Sequence, residues 1–428
     1  MLPEKIKLLN IAIAGEPRGQ LVRGNRFEFR YLSPEPQQPS VGLLMPATQL
    51  TYVESDLFPV MDQNLPEGDL FMRLRELFPK QPLTAMHLLA LVGANGIGRL
   101  GFSMPDTAVV TPGRVIGRQE LLRTKFSPEV FAELVSAYLS TGAGVSGMQP
   151  KIMVPDRPTI PIPTVIVKAA SPAYPGLAAN EYLCLTAAQR AGIDTPTFDL
   201  SDDGQVLLVD RFDISQGGIR QGFEDIASLM GLHVRDTLSD RKYQGSYQNI
   251  ADVLKRLRLP SRDLNRFYEQ VAFSAMVSNG DGHLKNFAVL YNDQSDIRLS
   301  PMFDVVTTSI YRYARYEGGP DMEDRTMALK LFNGKGQTRT YPTTTELLRF
   351  GREVCHVAAP QDALARIAEA MIHTIEAARS DERIPETTLA AMSDAWAGGL
   401  DYAREATRKQ EKMDEKISSA DRPRPGRY

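Results

Sequence analysis

The run Ser278-Asn279-Gly280-Asp281-Gly282-His283-Leu284-Lys285-Asn286 carries the densest chemistry in the chain. Asp281 stands five positions before Asn286, and a further acid, Asp304, closes Ser300-Pro301-Met302-Phe303-Asp304. Phosphoryl transfer from ATP needs this set of groups. One carboxylate orients the attacking hydroxyl, an amide oxygen and a second carboxylate hold Mg²⁺, and a nearby lysine steadies phosphate. Asp281 fits the first role and Asn286 and Asp304 the metal. Lys168, at the end of the apolar run Thr164-Val165-Ile166-Val167, fits the phosphate, with Glu181 able to pair with it. Each residue also has a plainer reading. Asn-Gly-Asp-Gly makes turns, Asp304 caps a helix, and Lys168 is a strand-end lysine in water. The chemical reading gains from the loop's setting between a helical pattern and the apolar strand Phe287-Ala288-Val289-Leu290.

The elements that must position these residues follow from periodicity. Residues 6–13 read as a strand, 15–19 as a turn, and 27–31 as a half-buried strand. Helical patterns cover 70–77, 84–92 and 127–140, the last opened by Ser127-Pro128. Strands follow at 152–154, 164–168 and 206–209, with a helix over 181–191 capped by Asn180 and ended by Gly192. From about residue 222 helical periodicity dominates. Leu264, Phe267, Val271 and Ala275 share one helix face, and Leu364, Ile367, Met371 and Ile375 another. Strands first and helices later imply an α+β, two-lobed protein with the chemistry between its lobes.

Two glycine segments have different standing. Residues 142–151 can wrap phosphates through backbone N–H groups at Gly144, Val145, Ser146 and Gly147, or serve as a linker. Met148-Gln149 exclude a Walker P-loop, which requires Lys-Ser/Thr there. Gly96-Ile97-Gly98-Arg99-Leu100-Gly101 matches a dinucleotide fingerprint, but Met104-Pro105 follow where a helix must start. Asp210-Arg211-Phe212-Asp213 lies where strand meets helical part. Its backbone is placed to hold adenine, with Asp213 near the ribose.

The 428 residues are 43% hydrophobic and 24% charged, enough for a sizeable core. A net charge of −3, from 49 basic and 52 acidic residues, does not favour binding nucleic acid through a large basic face. Cys184 and Cys355 fit buried thiols in a reducing cytoplasm. No signal peptide or membrane span is read, and the expected location is cytoplasmic. The remaining histidines, His87, His233, His356 and His373, form no ligand-like cluster.

The spacing Asp-x-x-x-x-Asn with a downstream Asp is that of protein-kinase catalytic loops. More specifically, the chain resembles the HipA family of bacterial toxin kinases. The resemblance rests on Val145-Ser146-Gly147-Met148-Gln149-Pro150-Lys151, residues 164–168, Asn180-Glu181-Tyr182, Asp210-Arg211-Phe212-Asp213, residues 279–287 and residues 301–304, in family order. It implies a divergent kinase-like fold with a mixed N-terminal part and an all-helical C-terminal part. It implies an N-terminal subdomain over 1–120, an N-lobe over 121–213 and a helical C-lobe over 214–406; the tail over 407–428, charged and then Arg- and Pro-rich, is read as disordered from its composition. The implied activity is ATP- and Mg²⁺-dependent phosphorylation of protein serine or threonine. Asp281 is then the catalytic aspartate, Asn286 and Asp304 are metal ligands, and Lys168 is the phosphate lysine. Asp210 and Phe212 form the adenine hinge, and His283 and Lys285 stand near the nucleotide. Implied partners are a protein substrate such as an aminoacyl-tRNA synthetase, and a separate helix-turn-helix antitoxin that binds operator DNA. Gly144 occupies the place of the family's autophosphorylated loop serine, which puts self-inactivation through that loop in doubt. Two other readings compete: a nucleotide-binding co-repressor or scaffold without catalysis, and a small-molecule phosphotransferase.

Overall fold

The computed structural model describes the chain except residues 1–2, 34–37, 81, 106–114, 128, 132, 135–150, 158–161, 170–173, 216, 234–239, 315–320 and 421–428. The glycine-rich segment with Gly144, Val145, Ser146 and Gly147 therefore lies outside the described residues.

Five antiparallel strands open the chain: β1 (Leu8–Ile13), β2 (Glu16–Arg23), β3 (Phe27–Tyr31), β4 (Thr51–Glu54) and β5 (Leu100–Ser103). Their order is β4-β3-β2-β1-β5. Leu9, Ile11 and Ile13 alternate into the core, as a half-buried strand requires. Ile13 pairs with Glu16, so only Ala14 (φ 50°) and Gly15 (φ 93°) make the turn. Two left-handed residues match the strand twist in a tight hairpin. Residues 17–19 thus belong to β2, not to the longer turn expected over 15–19. Helix α1 (Gly68–Leu77) places Leu74 in the same core and α2 (Ala85–Val92) packs on β5 and β1, both close to their expected bounds. Ser127 Oγ accepts Val130 N at 3.3 Å, so the expected 127–140 helix starts as anticipated; residues 135–140 are not among those described.

A second antiparallel sheet contains β6 (Lys151–Val154), β7 (Val165–Ala169), β8 (Phe198–Leu200) and β9 (Val206–Asp210), in the order β6-β7-β9-β8. Helix α3 (Leu177–Arg190) packs against it. Side chains of β9 alternate between two cores. Val206 and Leu208 join the core under the N-terminal sheet, while Leu207 and Val209 join the core of the helical part. The small sheet is therefore a partition shared by both cores.

Helix α3 begins before the expected Asn180 cap, after Gly176 at φ 68°. Asn180 instead sits within the helix. Its amide brackets Thr307, donating to the carbonyl at 3.0 Å and accepting the N–H at 2.8 Å. Trp396 Nε1 donates to the Thr307 hydroxyl at 2.8 Å. The segment just after Asp304 is thereby fastened to two helices.

The C-terminal part is built on α4 (Tyr247–Arg256), α5 (Ser261–Met276), α6 (Pro360–Ala378) and α7 (Glu386–Ala420). Both expected apolar faces, on α5 and α6, are buried in one core. It is not all-helical. β10 (Gly222–Asp225), β11 (Ala288–Tyr291) and β12 (Arg298–Leu299) form a sheet around the 278–286 loop, and Arg312–Ala314 pairs with Asp321–Glu323. Helix α7 also runs through the expected boundary at 407. Residues 407–420 are rich in Lys, Glu, Gln, Arg and Met, which are good helix formers. Among the described residues, no helix is long and apolar enough to cross a membrane. Both cysteines are free and buried, and burial pushes each thiol up to about 12, as inert structural thiols require.

Candidate active site

The 278–286 loop is shaped by its own backbone. Asn279 N returns to Ser274 O at 2.8 Å as α5 ends, and Asn279 Oδ1 accepts Asp281 N at 3.1 Å. Gly280 N donates to Thr308 Oγ1 at 2.8 Å. A Cβ on Gly280 would lie 2.6 Å from the Thr326 carbonyl oxygen, so only glycine fits this approach. The turn Leu284–Asn286 then feeds β11. Asp281 is half-buried, and its Oδ1 accepts the Tyr243 hydroxyl at 2.8 Å.

Asp304 is the hub of the site. Its backbone is left-handed, at φ 51°, a conformation that costs a non-glycine residue and excludes the helix-cap reading. The β6–β7 register sets Lys151 opposite Lys168. Both side chains reach Asp304. Lys151 Nζ lies 3.2 Å from Oδ2, and Lys168 Nζ bonds Oδ1 and also Glu181 of α3. The lysines are only 6% and 3% exposed, so neither is the solvated strand-end residue of the plainer reading. Burial alone would raise the Asp304 carboxyl, but the two ammonium groups outweigh it and hold it well below the usual range. Burial opposes the charge on Lys168, and Asp304 and Glu181 overcome that to hold its ammonium above its ordinary value.

Asn286 closes the group. Its Nδ2 donates to the backbone carbonyl of Asp304 at 3.2 Å. Because that partner can only accept, the amide's NH₂ must face it and Oδ1 is the remaining end. Oδ1 is buried and has no hydrogen-bond partner among the described residues. A buried orphan carbonyl oxygen beside a carboxylate suits a hard divalent cation. Among the described residues no three His, Cys, Asp or Glu cluster as a cage. Magnesium, however, is normally held by one or two carboxylates together with substrate phosphates.

Other expected site residues have different surroundings. His283 is 8% exposed, with its ring edge-on to Tyr243 at 5.2 Å. Burial, reinforced by Lys242 and Lys285, pulls its imidazole down to about 4 despite Asp281. Lys285 is ion-paired with Glu67, which comes from the N-terminal subdomain. Asp210 is held by Arg118 and Arg157. Phe212 packs at 5.2 Å from Phe303, the neighbour of Asp304, so the 210–213 segment touches the one that carries Asp304. Asp213 does not fit the expected ribose role. It is 1% exposed, and its oxygens are taken by Arg211 and by Gly98 N at 2.7 Å.

The His283 placement gives a pH prediction. An unfolded histidine takes its proton near 6.5 and the folded one near 4, so the unfolded state binds more protons between those values. Stability should therefore fall as pH drops through that window. Between pH 7 and pH 5, wild type should lose about 2 kcal/mol more than His283→Gln. Denaturant titrations at the two pH values check this, and parallel losses would refute it.

Sequence reasoning gave no chemical role to Lys151, Glu67 or Tyr243. Lys151 opens an otherwise apolar strand, which was a usable signal. Tyr243 ends the short turn Asp240–Tyr243, whose residues show no periodicity.

The two-lobed arrangement and the site between its lobes define a divergent kinase-like fold. Two family descriptions match the chain: the HipA N-terminal domain over residues 9–103 and the HipA-like C-terminal domain over 143–379. The chain belongs to the HipA family. In fold it is similar to HipA of Shewanella oneidensis, solved with HipB and operator DNA, with a TM-score of 0.65 at 16% identity, covering 93% of this chain and 97% of that one. Similar curated proteins include "Putative kinase Y4dM" of Sinorhizobium fredii, 33% identical over 161 residues, covering 34% of this chain and 38% of that protein. Another is "Putative kinase" of Haemophilus influenzae, 26% identical over 248 residues, covering 54% of this chain and 67% of that protein. The chain thus spans well under half the length of the Sinorhizobium relative.

Proposed function

We propose that the protein is an ATP- and Mg²⁺-dependent serine/threonine kinase of the toxin–antitoxin class, acting on a hydroxyl of another protein. The observation that carries this reading is the meeting of Lys168 and Asn286 at Asp304, with the orphan Asn286 oxygen beside it. Asn286 and Asp304 would hold magnesium, which neutralises charge on the phosphates. Lys168, braced by Glu181, steadies the phosphates. Backbone N–H groups at Gly144, Val145, Ser146 and Gly147 wrap them, and the hinge backbone at Asp210 and Phe212 holds adenine. Asp281 orients the acceptor hydroxyl and takes its proton. Positioning and charge stabilisation supply most of the rate.

Family membership points to a translation component, such as an aminoacyl-tRNA synthetase, as the substrate class. The Shewanella complex of HipA with HipB and operator DNA supports a DNA-binding antitoxin as partner; the helix-turn-helix form of that partner is what the family resemblance implies. The test is incubation of purified protein with γ-labelled ATP and clarified bacterial lysate, followed by mass spectrometry of labelled bands. A labelled lysate protein is expected, and its label should disappear when magnesium is chelated. ATP binding without any label would replace this reading with the non-catalytic co-repressor.

A further inference from the structure

Tyr243 makes a contact that the roles above do not use. Its hydroxyl donates to Asp281 Oδ1 at 2.8 Å, while Asp281 Oδ2 makes no hydrogen bond among the described residues. The phenol is held on several sides. Its ring meets His283 at an interplanar angle of 81°, and its carbonyl accepts Arg339 Nη2 at 2.6 Å. The preceding residue, Lys242, places Nζ 3.6 Å from Glu67 Oε2, and the other Glu67 oxygen takes Lys285. One carboxylate of the N-terminal subdomain therefore ties down both the turn that carries Tyr243 and the loop that carries Asp281.

A phenol clamped this way is scaffold, not a lid that an acceptor pushes aside. Burial, and then the charge of Asp281, push it well above its ordinary value, so it keeps its proton and goes on donating. A cavity of about 300 Å³, lined in part by Tyr243, Ser246, Lys330 and Arg339, borders the same tyrosine and leaves room for an acceptor segment.

We propose that Tyr243 is a positioning residue for Asp281, and that Glu67 completes the arrangement from outside the two lobes. The proposal rests on the kinase reading above. With Oδ1 fixed by Tyr243, Oδ2 faces the acceptor hydroxyl and takes its proton. The hydroxyl oxygen bonds to the γ-phosphorus as the bond from that phosphorus to the bridging oxygen of ADP breaks. Tyr243 neither gains nor loses a proton.

Tyr243→Phe keeps the ring and removes one hydroxyl. With γ-labelled ATP, magnesium and clarified bacterial lysate as acceptor, its rate at saturating ATP should fall about tenfold, as loss of a hydrogen bond to a charged group predicts. The ATP concentration for half-maximal rate should not move, and an unchanged denaturant midpoint would show that the lower rate is not a loss of folded protein. Glu67→Gln should lower the rate in the same way. Fluorotyrosine placed at position 243 should show a fluorine resonance that shifts on Asp281→Asn. If wild type transfers phosphate and Tyr243→Phe matches it, the proposal alone falls. A fluorine resonance indifferent to Asp281→Asn also overturns it. If wild type binds ATP but labels nothing, the kinase reading falls first and takes the proposal with it.

Discussion

Asp281→Ala is expected to slow phosphate transfer by about two to four orders of magnitude, the usual worth of a positioned general base. ATP affinity should be unchanged, because the groups assigned to phosphate and metal are Lys168, Asn286 and Asp304. Two nearby carboxylates are already engaged. Asp304 is committed to Lys151 and Lys168, and Glu67 to Lys285 and Lys242. The variant should also stay folded. Asp281 is half-buried, and the bond its side chain loses is one accepted from Tyr243, a cost on the order of 1–2 kcal/mol. Asp304 would make a poorer probe, since removing it takes the ion-pair partner from buried Lys151 and leaves buried Lys168 with Glu181 alone, mixing a folding defect with a chemical one. The measurement pairs calorimetric ATP binding with the rate of label transfer. Full activity in a folded Asp281→Ala protein would remove Asp281 from the mechanism. Lost binding together with lost transfer would place it among the nucleotide ligands instead.

The candidate site was largely legible because its groups are clustered along the chain. Asp281 and Asn286 share one loop, and Asp304 follows within one short strand pair. What could not be read was contact across the fold. Asn180 looks like a helix cap because Asn is a good cap, and nothing local reveals that its amide brackets Thr307. Lys151 joins the site through strand register, which depends on how β6 meets β7. That the small sheet serves both cores was hidden for a related reason. Residues 206–209 of β9 are all apolar, so their sequence does not show that alternate side chains serve two different cores. The tail was misjudged at 407 because charge suggested disorder, whereas the same Lys, Glu and Gln residues have high helix propensity and extend an already nucleated helix.

Asp213→Ala should be the most damaging of these changes to stability, at about 3–5 kcal/mol, the usual cost of breaking a buried ion pair from one side. Asp213 was expected at a ribose, yet it is the anionic centre of the joint between the N-terminal subdomain and the lobes. Arg211 grips it at 2.6 and 3.0 Å, and Gly98 N donates to it at 2.7 Å. Arg211 and Arg220 both also donate to the Gly96 carbonyl at 2.8 Å. The glycine run 96–101 that imitates a dinucleotide fingerprint is thus a docking loop for two arginines. Burial, with Arg211 beside it, already pulls the Arg220 guanidinium down, and Asp213 opposes that pull. Without Asp213, two guanidinium groups would share a buried site with carbonyl oxygens as neighbours and no carboxylate between them. Asp213→Asn keeps the shape and an acceptor oxygen but loses the charge, so it should fall between wild type and alanine. Denaturant unfolding of the three proteins at pH 7 checks the order. An alanine variant within about 1 kcal/mol of wild type, a typical surface-scale effect, would show that the joint is held by its backbone hydrogen bonds and not by this charge. Loss of ATP binding in the asparagine variant, with stability preserved, would instead return Asp213 to the nucleotide site.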